Sequence, residues 1–363
     1  MKAMKREKWL KFCLICPLFI IASILLLGAT TIYVSAQTTP TYPKILRFTT
    51  LSPGTSFYAI ASGVAKVASD HTTMTLITVP TTGVSSWLPM LNELGTADLA
   101  IWELGGTGQL WTGKVTPEEP PPKGFPSKLP YGLAKNIRIL MSGNPHWQGL
   151  LVRKDSGMRE TSDLRGKKVA WYGVSQPGTM CVVLASVYNG GMTMDDINMV
   201  PVNEPIGGVK AVQEKRVDAA PCSVGMAAIS EADVLVGVRL LNNSMDPERV
   251  KVGKRVYPGA SFRVLKAGPA GIPEDTFLIA GAAVILASNR MADHVAYKLV
   301  ETWWAHYKEW APFHAQLTEW TRDLFVNEDA PTPYHNGAIQ FYKEKGVWSP
   351  KMQEKQNQFL KGD

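Results

Sequence analysis

Cysteine is scarce in this chain, and so are the residue clusters that most catalytic chemistry needs. There are four cysteines in 363 residues. Cys13 and Cys16 fall in an N-terminal apolar run, which leaves Cys181 and Cys222 for a folded domain. Two cysteines without clustered histidines argue against a zinc site. In an oxidising compartment the pair is compatible with a disulfide or with two separately buried thiols. The six histidines, His71, His146, His294, His306, His314 and His335, are scattered. Neither G-x-S-x-G nor H-E-x-x-H occurs, and Cys222 has no base placed beside it to make it a nucleophile. The expectation is a binding protein rather than an enzyme, with no cofactor and no metal. Lys/Arg clusters with interleaved aromatics are missing too, which argues against nucleic acid as a partner.

One nucleotide motif is nearly present. In GQLWTGKV, Gly108, Gly113 and Lys114 keep the P-loop spacing, but Val115 stands where the metal-ligating hydroxyl belongs. Leu110 and Trp111 read instead as the apolar face of a helix, so the stretch is expected to be scaffold.

Residues 1–36 have the layout of a secretory signal peptide. Lys2, Lys5, Arg6, Lys8 and Lys11 form a positive head, an apolar run follows, and Val34-Ser35-Ala36 supplies a small-x-small cleavage site. The apolar run also approaches the length of a membrane anchor, but cleavage after Ala36 and an extracytoplasmic location are expected. This segment carries five Lys/Arg and one Glu, so it holds +4 of the formal +7 and leaves +3. The remaining ~325 residues exceed the usual single core, so two lobes are expected.

An internal echo supports that reading. KILRFTTLSPGTSFYAIASGVA from Lys44 and KKVAWYGVSQPGTMCVVLASVY from Lys167 each pass from a β-prone run, through a polar turn ending Pro-Gly-Thr, into a helical pattern. Phe57, Ile60, Ala61, Val64 and Ala68 share one face of the first helix, and Val183, Leu184, Val187 and Tyr188 one face of the second. A second echo places Asp98 and Asp218 at the starts of short strands, GTADLAIWE and KRVDAAPCS. The pattern predicts an α/β protein of two lobes. Lobe 1 begins with residues 44–146, lobe 2 spans 147–273, and 274–363 return to complete lobe 1. Strands starting near His146 and Pro273 cross between the lobes. The Met291, Val295, Leu299, Trp303, Tyr307 stripe, with Trp304, Trp310 and Trp320, reads as C-terminal helical core packed on lobe 1. Pro117–Pro130 reads as an exposed proline-rich loop.

Ligands of open α/β sheets bind beyond the carboxyl ends of the strands. Each Pro-Gly-Thr turn lies there, where unpaired amides and the helix dipole favour an anion. Gly54 and Gly178 permit close approach of a ligand to the backbone. Thr55, Ser56 and Thr179, with Ser175 nearby, either cap their helices or touch a ligand. Two matched turns favour a cleft that holds one anion between the lobes.

From Lys44 to Gly346 the chain resembles the TAXI family, the solute-binding subunits of tripartite ATP-independent periplasmic (TRAP) transporters. The resemblance rests on ordered pieces: SPGTSFYAIASGVA, TTGVSSWLPMLNELGTADLAI, SGMRETSDLRGKKVAWYGVSQPGT, RVDAAPCSVG and PYHNGAIQFYKEKG. It implies a type II periplasmic-binding-protein fold that closes on an amino acid or carboxylic acid and delivers it to a TRAP permease. A sensory protein that presents its ligand to a receptor kinase needs the same fold and is the alternative. The family's ligand contacts map to Ser56, Tyr58, Ser85, Gly178 and Thr179. The departures are Leu88 for a family Asn, Glu103 for a frequent Gln, and Pro177 for a Ser. A gained carboxylate disfavours a plain dicarboxylate, so Glu103 is expected either to meet an amino or hydroxyl group of the ligand or to be a solvated or Lys-paired surface group. Trp87 and Trp102 read as core or as a wall for an aromatic acid, and Cys222 lies near the cleft.

Overall fold

The computed structural model describes residues 40–361, so the signal-peptide reading lies outside the described residues. Among the described residues no helix is long and apolar enough to cross a membrane.

The first echo builds half a sheet. Strand β1 (Ile45–Thr50) leads through the Pro-Gly-Thr turn into helix α1 (Ser56–His71), whose predicted apolar face is buried throughout. Strand β2 (Thr75–Pro80) and helix α2 (Val84–Pro89), continued by one π-turn over Met90–Leu94, lead to β3 (Leu99–Glu103). Helix α3 (Leu104–Thr112) then carries the near-P-loop sequence. It ends because Gly113 takes a left-handed conformation, φ 74°, that a side chain resists, and returns its N–H to the Gln109 carbonyl. The GQLWTGKV stretch is therefore a helix and its cap.

Strand β4 (Ile137–Arg153) runs across the molecule, through the boundary expected between residues 146 and 147. The second echo repeats the first: β5 (Lys168–Trp171), α4 (Pro177–Asn189), β6 (Asn198–Pro201), α5 (Pro205–Gln213), β7 (Ala219–Ser223) and α6 (Ala227–Val236). Then come β8 (Val238–Leu240), α7 (Pro247–Val256), β9 (Ser261–Leu265) and the long return strand β10 (Thr276–Ser288). Helices α8 (Asp293–His306), α9 (Asn336–Glu344) and α10 (Pro350–Lys361) close the chain.

The sheet order is β2-β1-β3-β10-β4-β7-β5-β6. Within each half the pattern is the same. Strand β1 pairs in parallel with β2 and β3, and β3 meets β10 antiparallel. Strand β5 pairs in parallel with β6 and β7, and β7 meets β4 antiparallel. The aspartates of the second echo hold equivalent joints. Asp98 accepts the Arg47 amide at 2.7 Å, and Asp218 accepts the Lys168 amide at 2.8 Å. Each carboxylate thus fixes the register of its half's first strand. Since β4 and β10 belong to both halves, Tyr42–Asp363 forms one compact unit on one continuous sheet.

Two details differ from the sequence reading, and a third decides between alternatives it left open. Helix α4 is buried on nearly every side rather than on one face, because it is covered by α7 as well as by the sheet. The 117–130 loop is anchored by buried Phe125 and Leu129, and Phe125 packs edge-on against Trp171. Cys181 and Cys222 are separate buried thiols. The C-terminal aromatics are core, as expected: Trp303, Trp310 and Trp320 are fully buried, and Trp303 donates its indole N–H to the Val64 carbonyl of α1 at 3.0 Å.

Candidate functional site

The two Pro-Gly-Thr turns meet at one place. Leu51, Thr55, Ser56 and Phe57 from the first and Gln176 and Thr179 from the second line the same cavity. Glu103 at the end of β3, Pro205, and Cys222, Ser223 and Met226 complete its wall. Every contributor stands at the carboxyl end of a parallel strand or the start of the next helix, so the strand–turn–helix repeat itself places the site. The cavity measures about 20 Å³, because the halves are in contact around it. Ser52 donates to Glu204 at 2.7 Å, the Gln176 amide to the Thr82 carbonyl at 2.9 Å, and the Ala227 N–H to the Gly54 carbonyl at 3.0 Å.

Glu103 dominates the site electrostatically. It is 4% exposed, and among the described residues no cation is found paired with it. Its Oε1 accepts a hydrogen bond from Gln148 at 2.8 Å, while Oε2 is buried without a hydrogen-bond partner. Burial raises its pKa to about 7, against an ordinary 4.5, with the Gln148 bond opposing the rise. Oε2 lies against Gly178 at the start of α4, so close that a Cβ there would fall 1.3 Å from it. Only glycine fits. The solvated or Lys-paired surface group is therefore not what Glu103 is.

The hydroxyls divide between capping and the cavity. The Thr55 side chain caps α1, accepting from the Tyr58 amide at 3.2 Å, and Thr179 donates to the Gln176 carbonyl at 2.7 Å, yet both line the cavity. Ser56 lines it as well. Other sequence-predicted residues stand outside. Ser85 is exposed on α2, and Tyr58 is half-buried on α1 away from the lining. Ser175 spends its hydroxyl on the Tyr172 carbonyl at 2.8 Å. Trp87 and Trp102 are fully buried one layer back: Trp102 packs on Phe57 with centroids 6.1 Å apart, and Phe57 is the aromatic that reaches the cavity. Both indole N–H groups lack partners.

Two residues of β4 that the sequence reading passed over belong here. His146 stacks on Phe57 at 4.5 Å, and its Nε2 lies 3.2 Å from the Ser223 hydroxyl. Burial pushes its pKa down to about 3, so the ring is neutral, and Nδ1 has no partner. Gln148 holds Glu103, and its own Oε1 is unpartnered. His146 and Gln148 are two apart on a strand and share a face. Two polar residues on one face of an apolar central strand were the available signal. Buried polar atoms without partners cost about 1–3 kcal/mol each, and here several gather at one end of the sheet.

A larger cavity of about 290 Å³ lies behind α3, between Gly105, Gly108 and Tyr257-Pro258-Gly259. None of the sequence-predicted site residues lines it, and the chemistry gathers at the strand ends.

Solved structures resemble this chain. One described as a periplasmic transporter aligns over 89% of this chain and 99% of its own, at 15% identity and a TM-score of 0.50. The periplasmic aliphatic sulphonate binding protein SsuA from Escherichia coli covers 86% of this chain and 92% of its own, at 15% identity and 0.44. The alkanesulfonate-binding protein SsuA from Xanthomonas axonopodis pv. citri, bound to MOPS, covers 88% and 85%, at 15% identity and 0.45. At such identity the likeness is one of fold. Family assignment comes from the sequence profile, which matches residues 48–346, and the chain belongs to the NMT1-like family.

Proposed function

We propose that this protein is an extracytoplasmic solute-binding protein that closes two halves over a small amino-acid-like organic acid and hands it to a TRAP-type membrane permease. The observation that carries the reading is the Glu103 carboxylate, buried at the meeting point of both Pro-Gly-Thr turns with one oxygen unpartnered. An ammonium or hydroxyl donor on the ligand satisfies that oxygen. The carboxylate of the same ligand meets the first turn of α1, where the Ser56 and Phe57 amides have no intrahelical partner. Phe57 supplies an apolar contact for a side chain, aromatic ones included. A cavity of about 20 Å³ admits little beyond one water, so the halves part for a ligand to enter. Closure then follows from tighter binding to the closed form.

Calorimetric titration of the purified protein against amino, keto, hydroxy and aromatic acids across pH 5.5–8.5 tests this. The expected ligand carries an amino group, raises the melting temperature, and is recovered chemically unchanged. Its affinity falls as pH drops below 7, because protonation of Glu103 removes the charge that the ammonium needs. A tight dicarboxylate whose affinity instead falls as pH rises above 7 refutes the amino-acid assignment. A ligand converted to product refutes the binding role altogether.

A further inference from the structure

Far along the chain from one another, three potential metal ligands meet on the surface of the first half. His71 is the last residue of α1, His306 the last residue of α8, and Glu309 lies in the 3-10 turn that follows. One carboxylate serves both rings: His71 Nε2 is 2.6 Å from Oε2, and His306 Nδ1 is 2.8 Å from Oε1. The imidazoles stack with centroids 3.5 Å apart and planes 12° from parallel. All three ligand atoms lie within 4.8 Å of one another. We propose that His71, His306 and Glu309 form a binding site for one borderline divalent transition-metal ion, of the class of Zn2+, Co2+ or Ni2+.

The donor set decides the class. Two imidazole nitrogens and one carboxylate suit zinc and its neighbours, whereas calcium and magnesium take oxygen ligands. Two nitrogens bound to one tetrahedral ion at about 2.0–2.1 Å stand roughly 3.4 Å apart, and the present ligand atoms already lie within 4.8 Å of one another. The carboxylate turns aside to admit the ion, and the rings splay from parallel so that both lone pairs converge. All three side chains have room for this, being 32%, 34% and 51% exposed. That exposure also leaves a fourth position to water, as in three-ligand zinc sites. The platform below is fixed: Trp303 of α8 donates to the Val64 carbonyl of α1, and Trp310 is buried, its indole bonded to the Leu317 carbonyl at 3.1 Å. The site ties the C-terminal helices to α1, so its ion adds to the stability of the first half and stands apart from the strand-end cavity.

The test uses the full chain without an affinity tag, stripped of metal. Zn2+ titration by calorimetry is expected to show one ion per chain, and Co2+ to give the intense visible absorption of a tetrahedral centre. Glu309→Gln and the double variant His71→Gln/His306→Gln weaken Zn2+ binding by about tenfold or more and abolish the Co2+ band. Zn2+ raises the melting temperature of the wild-type chain only. Because all three residues are surface groups, the variants should melt like wild type in chelator, which separates lost ligands from lost folding. Equal Zn2+ affinity in wild type and double variant overturns the assignment. So does a titration without heat or spectral change, which leaves the cluster as two histidine–glutamate hydrogen bonds.

Discussion

Glu103→Gln should stabilise this protein above neutral pH and do little below pH 4.5. In the folded chain the carboxyl titrates near 7, and in the unfolded chain at its ordinary 4.5. The folded state therefore holds its proton more tightly. A raised acid contributes its stability below the unfolded value, and that contribution is lost as pH climbs through the folded one. The difference of two to three pH units corresponds to about 3 kcal/mol between acid and alkaline limits. Glutamine keeps the shape, cannot ionise, and offers an oxygen to the Gln148 amide that now holds Oε1 at 2.8 Å. Urea unfolding of both proteins at pH 5, 6, 7 and 8 reads the effect directly. The wild-type curve should lose stability across that window relative to the variant, with the gap opening mainly between pH 5 and 7. Parallel curves would mean that the carboxylate is solvated, and the charge argument for the cavity would fall with it.

Gly178→Ala tests the same contact from the other side. Alanine ordinarily favours a helix, but its methyl would stand 1.3 Å from Glu103 Oε2, so destabilisation of about 1–3 kcal/mol is expected, with Glu103→Ala in the same chain restoring the melting temperature. Failure of the second change to rescue the first would place the clash elsewhere. The two cysteines should be inert: both are free and buried, burial pushes the Cys222 thiol up to about 12, and Cys181 rises as well. Iodoacetamide should label them only in denaturant, and reductant should leave the melting temperature unchanged; a drop on reduction would reveal a disulfide.

The repeat was legible because it is written in local chemistry. A β-prone run, a Pro-Gly-Thr turn and an apolar helix face specify strand, turn and helix without help from the rest of the chain. The matched aspartates mark joints that proved equivalent to within 0.1 Å in their strand-amide bonds. Ser85 shows a position where the resemblance and the helical pattern of its own segment point in different directions. Val84, Trp87, Leu88 and Leu91 are buried at helical spacing, and that phase turns Ser85 toward solvent. Trp87 and Trp102 posed a harder choice, since an aromatic at a strand end serves equally as core or as cavity wall. Nothing local distinguishes the two, and Phe57 filled the position facing the gap. His146 and Gln148 were hidden in a strand read for its length and direction, not for its faces. The His71, His306 and Glu309 cluster was invisible for a different reason. Its members come from the ends of two helices more than 230 positions apart, and only their packing, through Trp303 and Val64, brings the rings together.

Topological twins need not be electrical twins, and here they are not. Helix α1 opens with Ser56 and Phe57, which line the gap and whose amides lack intrahelical partners. A Cβ added to Gly54 before it would meet an Ile206 methyl at 3.5 Å and no carboxylate. Helix α4 opens with Pro177, which has no N–H to give, and its Gly178 is met by a carboxylate from the opposite half. The dipole at the start of α4, worth about half a positive charge, is thus answered within the protein. A ligand carboxylate placed about 4 Å from ionised Glu103 would be repelled by roughly 4 kcal/mol at an effective dielectric of 20. Lodged instead against α1, it is attracted, and its positive end faces Glu103. The buried carboxylate of Glu103 therefore gives the gap a direction. A symmetric dianion fits one end and is opposed at the other, whereas a zwitterion fits both in one orientation.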